Sequence, residues 1–108
     1  MPDTWITDMT HYLDSAGRPV VAPPASRLLA EYLGKIVLCV SNASVGREMF
    51  TTVQCRRRPR HRRCDGVISA IIDAELNIVW DCPMCADGGV IHHWQGTLWD
   101  QRRSGALH

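Results

Sequence analysis

The sequence predicts a small α+β protein in which one N-terminal helix packs on an antiparallel sheet of three to four short strands. Three observations lead there. An apolar stripe with helical spacing runs from Ala25 to about Val40. Short β-type runs separated by turn residues follow it, from Thr51 onward. Two pairs of cysteines flank those runs.

The helix comes first. Leu28, Leu29, Tyr32, Leu33, Ile36, Val37 and Val40 recur at steps of one, three and four, which places them on one face. Pro23 and Pro24 precede the stripe, where proline is tolerated. Gly34 costs such a helix about 1 kcal/mol relative to alanine. The β-branched tail from Ile36 to Val40 is also compatible with a strand. Upstream, residues 1–24 read as a loosely ordered entry segment, with Trp5, Met9, Tyr12 and Leu13 spaced for one or two helical turns. Gly17, Pro19, Pro23 and Pro24 interrupt anything longer. The helix and its polar linker occupy residues 25–44.

The β half spans residues 51–100. Thr51–Cys55 and Val67–Ile72 read as strands. Asp73–Asn77 supplies a turn, and Asn77–Cys82 returns antiparallel to the preceding strand. Gly89–Trp94 and Thr97–Trp99 are further candidates. Residues 101–108 lack an apolar pattern and read as a flexible tail.

At 108 residues the chain is one small domain with a limited core, the size range in which metals or disulfides often supplement packing. No apolar run approaches the roughly 18 residues of a membrane span, and the N-terminus lacks a secretory pattern. A cytoplasmic location and no membrane association are the expectations. In a reducing compartment cysteines serve more often as metal ligands than in disulfides, and five of them cannot all pair.

Cys82-Pro83-Met84-Cys85 carries the clearest chemical signal. Two thiolates separated by two residues can grip one metal in a tight turn, and the glycines at 88 and 89 let the chain fold back. Cys55 and Cys64 end two predicted strands, so a hairpin-like loop can bring them together. Cys55, Cys64, Cys82 and Cys85 thus match the ligand count of a tetrahedral Zn2+ site, with iron as the other metal such a site accepts. Cys39, on the apolar helix, reads as a small core residue. A redox dithiol needs a helix at the first cysteine, and Ala86-Asp87-Gly88-Gly89 does not start one. A deaminase-type catalytic zinc needs a His-x-Glu, which the chain lacks. His61 reads as a solvated loop residue, and His92 and His93 point to opposite faces of a strand.

With these residues in view, the segment 51–95 resembles a zinc ribbon of the rubredoxin-like kind. The resemblance rests on Cys82-Pro83-Met84-Cys85 with Gly88, the strand pair leading into them and the earlier cysteine pair. It implies a structural metal on a small antiparallel sheet. The stretch from Gly88 to Asp100 is also similar to a family of small bacterial proteins, a likeness that implies no activity.

The second signal is charge. The formal net charge is +1, yet Arg56, Arg57, Arg58, Arg60, Arg62 and Arg63 crowd between Cys55 and Cys64. Guanidinium groups so close repel one another, and nucleic-acid phosphate is the commonest counterpart. The competing reading is local: zinc with four thiolates carries a net −2, which neighbouring arginines offset. Trp80, Trp94 and Trp99 read as packing residues, with base stacking as the other use of the latter two. No nucleophile–base or carboxylate pair stands at telling spacing, so no enzyme and no small-molecule substrate are expected. The expectation is a zinc-binding module that contacts nucleic acid through its arginine-rich loop. The alternative is a protein-interaction module whose zinc is purely structural.

Overall fold

The computed structural model describes residues 4–56, 62 and 64–102. Its elements are β1 (Thr4–Asp8), a short 3-10 helix (Met9–Tyr12), α1 (Pro24–Val40), β2 (Met49–Gln54), β3 (Val67–Ile72), β4 (Ile78–Asp81) and β5 (Gly88–His92). The fold is α+β, as expected, with one α-helix and a sheet of five strands instead of three to four.

The helix forms where the apolar stripe places it. Pro24 occupies its first turn, and the Ser41 amide donates to the Val37 carbonyl at its end. Leu33, Ile36, Val37 and Val40 are buried against the sheet, so the β-branched tail is helical because its side chains lie on the packed face. Gly34 is buried for a specific reason. A Cβ there would collide with the Trp99 indole, so the glycine admits the ring against the helix backbone.

Strands β2, β3, β4 and β5 form an antiparallel meander, and β1 adds to β5 in parallel, giving the order β1-β5-β4-β3-β2. The β3–β4 turn closes at Asp73, whose side chain accepts from the amides of Glu75 and Asn77. Ile68, Ala70, Ile72, Ile78, Trp80 and Ile91 face the helix and form the core with Met9, Trp94 and Trp99. The opposite face carries Ile71, Val79, Val90 and Ile6 in register, with Ile6 73% exposed.

Three local readings change. Trp5, Met9 and Tyr12 have helical spacing, but Trp5 lies in β1 and only Met9–Tyr12 turn as a 3-10 helix. The sheet supplies the missing term, since β5 offers β1 an edge to pair with. Thr97–Trp99 is a turn, not a strand: Thr97 donates to the Trp94 carbonyl and Asp100 to that of Thr97. This loop folds inward to bury Trp94 and Trp99. Of the predicted tail, Gln101 and Arg102 are helical, and the Gln101 amide donates to Ser41 Oγ at the end of α1. Residues 103–108 lie outside the described residues.

Candidate metal centre

The four cysteines arrive from three segments. Cys55 follows β2, Cys64 precedes β3, and Cys82 and Cys85 lie in the β4–β5 turn. The Cys55 amide donates to the Gly66 carbonyl at 2.8 Å, and Gln54 pairs with Val67. These contacts hold Cys55 close to the start of β3, at the loop end of the β2–β3 hairpin. The second pair is set by a tight turn in which Ala86 N–H donates to Cys82 O at 2.8 Å and Cys82 N–H to Asp87 O at 2.7 Å.

Together these segments bring the four sulfurs within 4.8 Å of one another. Cys55 Sγ lies 3.7 Å from Cys85 Sγ, and Cys64 Sγ lies 3.6 Å from Cys82 Sγ. Tetrahedral zinc with bonds of about 2.3 Å requires sulfurs about 3.8 Å apart. A disulfide would need about 2.0 Å, and all four are free thiols. Cys55, Cys64 and Cys82 are buried and Cys85 is half-buried, the closed environment of a structural site instead of one open to substrate.

Backbone amides complete the sulfur environment. Gly66 N–H donates to Cys64 Sγ at 3.4 Å. Cys82 accepts from the amides of Cys85 and Met84, and Cys85 from that of Asp87. Burial alone would raise the Cys82 thiol, but these amides and Cys64 outweigh it and hold it below the ordinary thiol range. At Cys85 burial prevails and the thiol is raised. Amides aimed at sulfur stabilise thiolates, the form in which cysteine binds metal. The donor set, its spacing and its polar surroundings fit one metal ion.

The glycines act differently from the sequence reading. The left-handed position in the turn belongs to Ala86, at φ 62°. Gly88 and Gly89 lie in β5, where their lack of a side chain permits close backbone approach. A Cβ on Gly88 would stand 2.6 Å from the Trp80 carbonyl, and one on Gly89 would press on the Trp5 carbonyl. Gly66, outside the predicted ligand set, lies directly against Cys82. The adjacent Cys-x-Gly at 64–66 was the available signal.

Among the arginines of the loop, Arg56 and Arg62 are exposed. The Arg56 guanidinium lies over the Tyr32 ring at 5.5 Å from its centroid, a cation–π contact. Arg57, Arg58, Arg60, His61 and Arg63 lie outside the described residues. Cys39 stands apart from the cluster, half-buried on α1, with its sulfur 3.7 Å from Thr52 Oγ1. Trp80, Trp94 and Trp99 are all buried. Trp94 donates to the Leu76 carbonyl and carries the Arg102 guanidinium on its face, so it and Trp99 serve packing. His92 contacts Asn77 and His93 contacts Asp8, so neither joins the thiols. No described helix is long and apolar enough to cross a membrane. Comparison with protein-family models, curated proteins and solved structures finds no match.

Proposed function

We propose that this chain is a non-enzymatic binding module in which Zn2+ on Cys55, Cys64, Cys82 and Cys85 braces an arginine-rich loop for contact with nucleic acid. The observation that supports it is the position of the thiol cluster. Cys55 and Cys64 bound the loop, the Cys55–Gly66 hydrogen bond closes it, and all four sulfurs lie within 4.8 Å. Tying both ends reduces the chain entropy lost when the arginines engage a ligand. A divalent ion would hold all four cysteines as thiolates and leave a net −2. Two or three arginines suffice to offset that charge, and the loop has six. The surplus favours phosphate, which guanidinium groups bind through paired hydrogen bonds.

The test combines metal analysis with a salt series. Purified protein prepared without chelator is expected to carry about one zinc per chain. Replacing Arg57, Arg58, Arg60 and Arg62 by Gln is expected to abolish most nucleic-acid binding and flatten its salt dependence, about −0.9 per duplex phosphate neutralised. Metal content is expected to stay unchanged. No binding by the wild type at low salt refutes the nucleic-acid reading and leaves the protein-interaction module. Loss of zinc in the four-glutamine variant assigns the arginines to neutralising the thiolates instead. A red, iron-containing preparation changes the metal and keeps the site.

A further inference from the structure

Beside the metal centre, the helix side of the sheet carries a second constructed feature. The strand register aligns Ala70, Trp80, Gly89 and Trp5 in one row across β3, β4, β5 and β1. Gly89 separates the two tryptophans. A Cβ at that position would press on the Trp5 carbonyl and reach 3.0 Å from Trp80 Nε1, so only glycine leaves the space between the indoles open. Helix α1 brings Leu29, Tyr32 and Leu33 to the same place. The result is a pocket of about 310 Å³ whose remaining lining includes Arg56 and Asp87. That volume lies at the lower end of small-ligand sites, about 300–1,000 Å³.

The lining specifies the chemistry of an occupant. Three aromatic side chains, Trp5, Tyr32 and Trp80, stand among its walls with Leu29, Leu33 and Thr7. Tyr32 packs edge-on to Trp80 with centroids 6.0 Å apart, and Trp5 is 50% exposed while its indole N–H donates to Asp87 at 3.2 Å. The Tyr32 hydroxyl is buried beside the Arg56 amide, and its O–H finds no acceptor among the described residues. A ligand with ring heteroatoms can accept from that O–H, and an aliphatic one cannot. Arg56 already lies over the Tyr32 ring, so a cationic occupant would meet like charge. With Asp87 engaged by the Trp5 indole, the combination favours a flat heteroaromatic ring whose anionic group lies toward Arg56 and away from Asp87.

We propose that the pocket receives one unstacked base of a single-stranded nucleic acid, with Arg56 on the adjoining phosphate. The assignment rests on the nucleic-acid reading above and deepens it. Bases in a duplex are stacked and paired and cannot enter such a pocket, whereas single strands present free faces to aromatic side chains. Arg56 directly follows Cys55 and is the first of the six arginines, so the pocket's cation is contiguous in sequence with the arginine-rich run.

The experiment compares the zinc-loaded wild type with Trp5→Ala and Trp5→Phe. Each is titrated at fixed low salt with a ten-nucleotide single strand, a hairpin duplex of the same sequence and the corresponding mononucleotide. Trp5→Ala is expected to weaken single-strand binding about 5- to 150-fold, the range for one base–aromatic stack. Duplex binding should change less than about twofold, because no charge is lost. Trp5→Phe is expected to retain most of the single-strand affinity, which separates loss of stacking from loss of the Asp87 hydrogen bond. Amide spectra and zinc content of each variant verify the fold. Undiminished single-strand binding by Trp5→Ala, alongside lost binding in the four-glutamine loop variant, overturns the pocket assignment and keeps the nucleic-acid reading. No binding of any nucleic acid by the wild type overturns both. A mononucleotide bound as tightly as the strand overturns the single-strand assignment in favour of a free nucleotide.

Discussion

Gly66 lies directly against the sulfur of Cys82. A Cβ at position 66 would collide with Cys82 Sγ and stand 3.0 Å from Met84 Cγ. The glycine cannot retreat, because its carbonyl accepts from Cys55 N–H and its amide donates to Cys64 Sγ. One small residue therefore joins both halves of the thiol cluster.

Gly66→Ala is thus expected to damage the metal centre without removing a ligand. Changes in the groups that orient metal ligands typically cost 10- to 100-fold in affinity. Competition with a chromophoric chelator should show zinc affinity falling by at least about tenfold. An unchanged affinity would mean that the β4–β5 turn adjusts freely around the added methyl.

Ala86 gives the opposite expectation. It holds φ 62° in the turn after Cys85, a conformation in which a side chain costs about 1–2 kcal/mol. Glycine removes that cost but gives back part of it as conformational entropy of the unfolded chain. Ala86→Gly is expected to stabilise the metal-loaded protein by about 0.5–1 kcal/mol. Thermal unfolding of the loaded protein checks this, and a lower midpoint would show that the Ala86 methyl makes contacts worth more than the strain.

Gly34 tests the packing of α1. In an exposed helix, Gly→Ala gains about 1 kcal/mol. Here the added Cβ would overlap the Trp99 indole, and overpacking typically costs about 1–3 kcal/mol. Gly34→Ala is expected to destabilise the protein on balance, and Trp99→Leu in the same chain should restore part of the loss. Chemical denaturation of the two single variants and the double one would reveal this as non-additivity above about 0.5 kcal/mol. Strict additivity would show that the two residues do not press on each other.

These residues mark what could be read from the chain alone. The helix, the β3 run Val67–Ile72, the Asp73–Asn77 turn and the gathering of four cysteines were legible, because each rests on local periodicity or spacing. Strand β1 was not. Its pairing partner is β5, 84 residues ahead at Thr4↔Gly88, and the spacing of Trp5, Met9 and Tyr12 imitates a helix. Gly34, Gly66 and Gly89 look like ordinary helix, loop and strand glycines until Trp99, Cys82 and Trp5 are placed beside them. Trp5 was illegible as a pocket residue for the same reason: its neighbours come from α1, Arg56, β4 and the turn before β5.

Metal removal addresses how the fold is held. Structural zinc supplies about 10–16 kcal/mol of apparent binding free energy in small peptides. Domain stability as a whole is about 5–15 kcal/mol, so loss of the ion removes a quantity as large as the total. The structure says where the loss would be felt. The four sulfurs tie the β2–β3 loop to the β4–β5 turn, and three of the four cysteines belong to the buried core. Helix α1 packs on β2 and β3. At 17 residues it is only marginally stable alone, so it should not outlast the sheet beneath it. Chelation, or Cys82→Ser with Cys85→Ser, is therefore expected to collapse amide dispersion across β2–β5 and to reduce far-ultraviolet helicity together. Adding zinc back should restore both in the chelated wild type but not in the double-serine variant. If the chelated wild type keeps its dispersion once the metal is fully removed, the aliphatic core holds the fold without it. If helicity survives while the sheet melts, α1 is stabilised by the turn at residues 97–100 and not by β2 and β3.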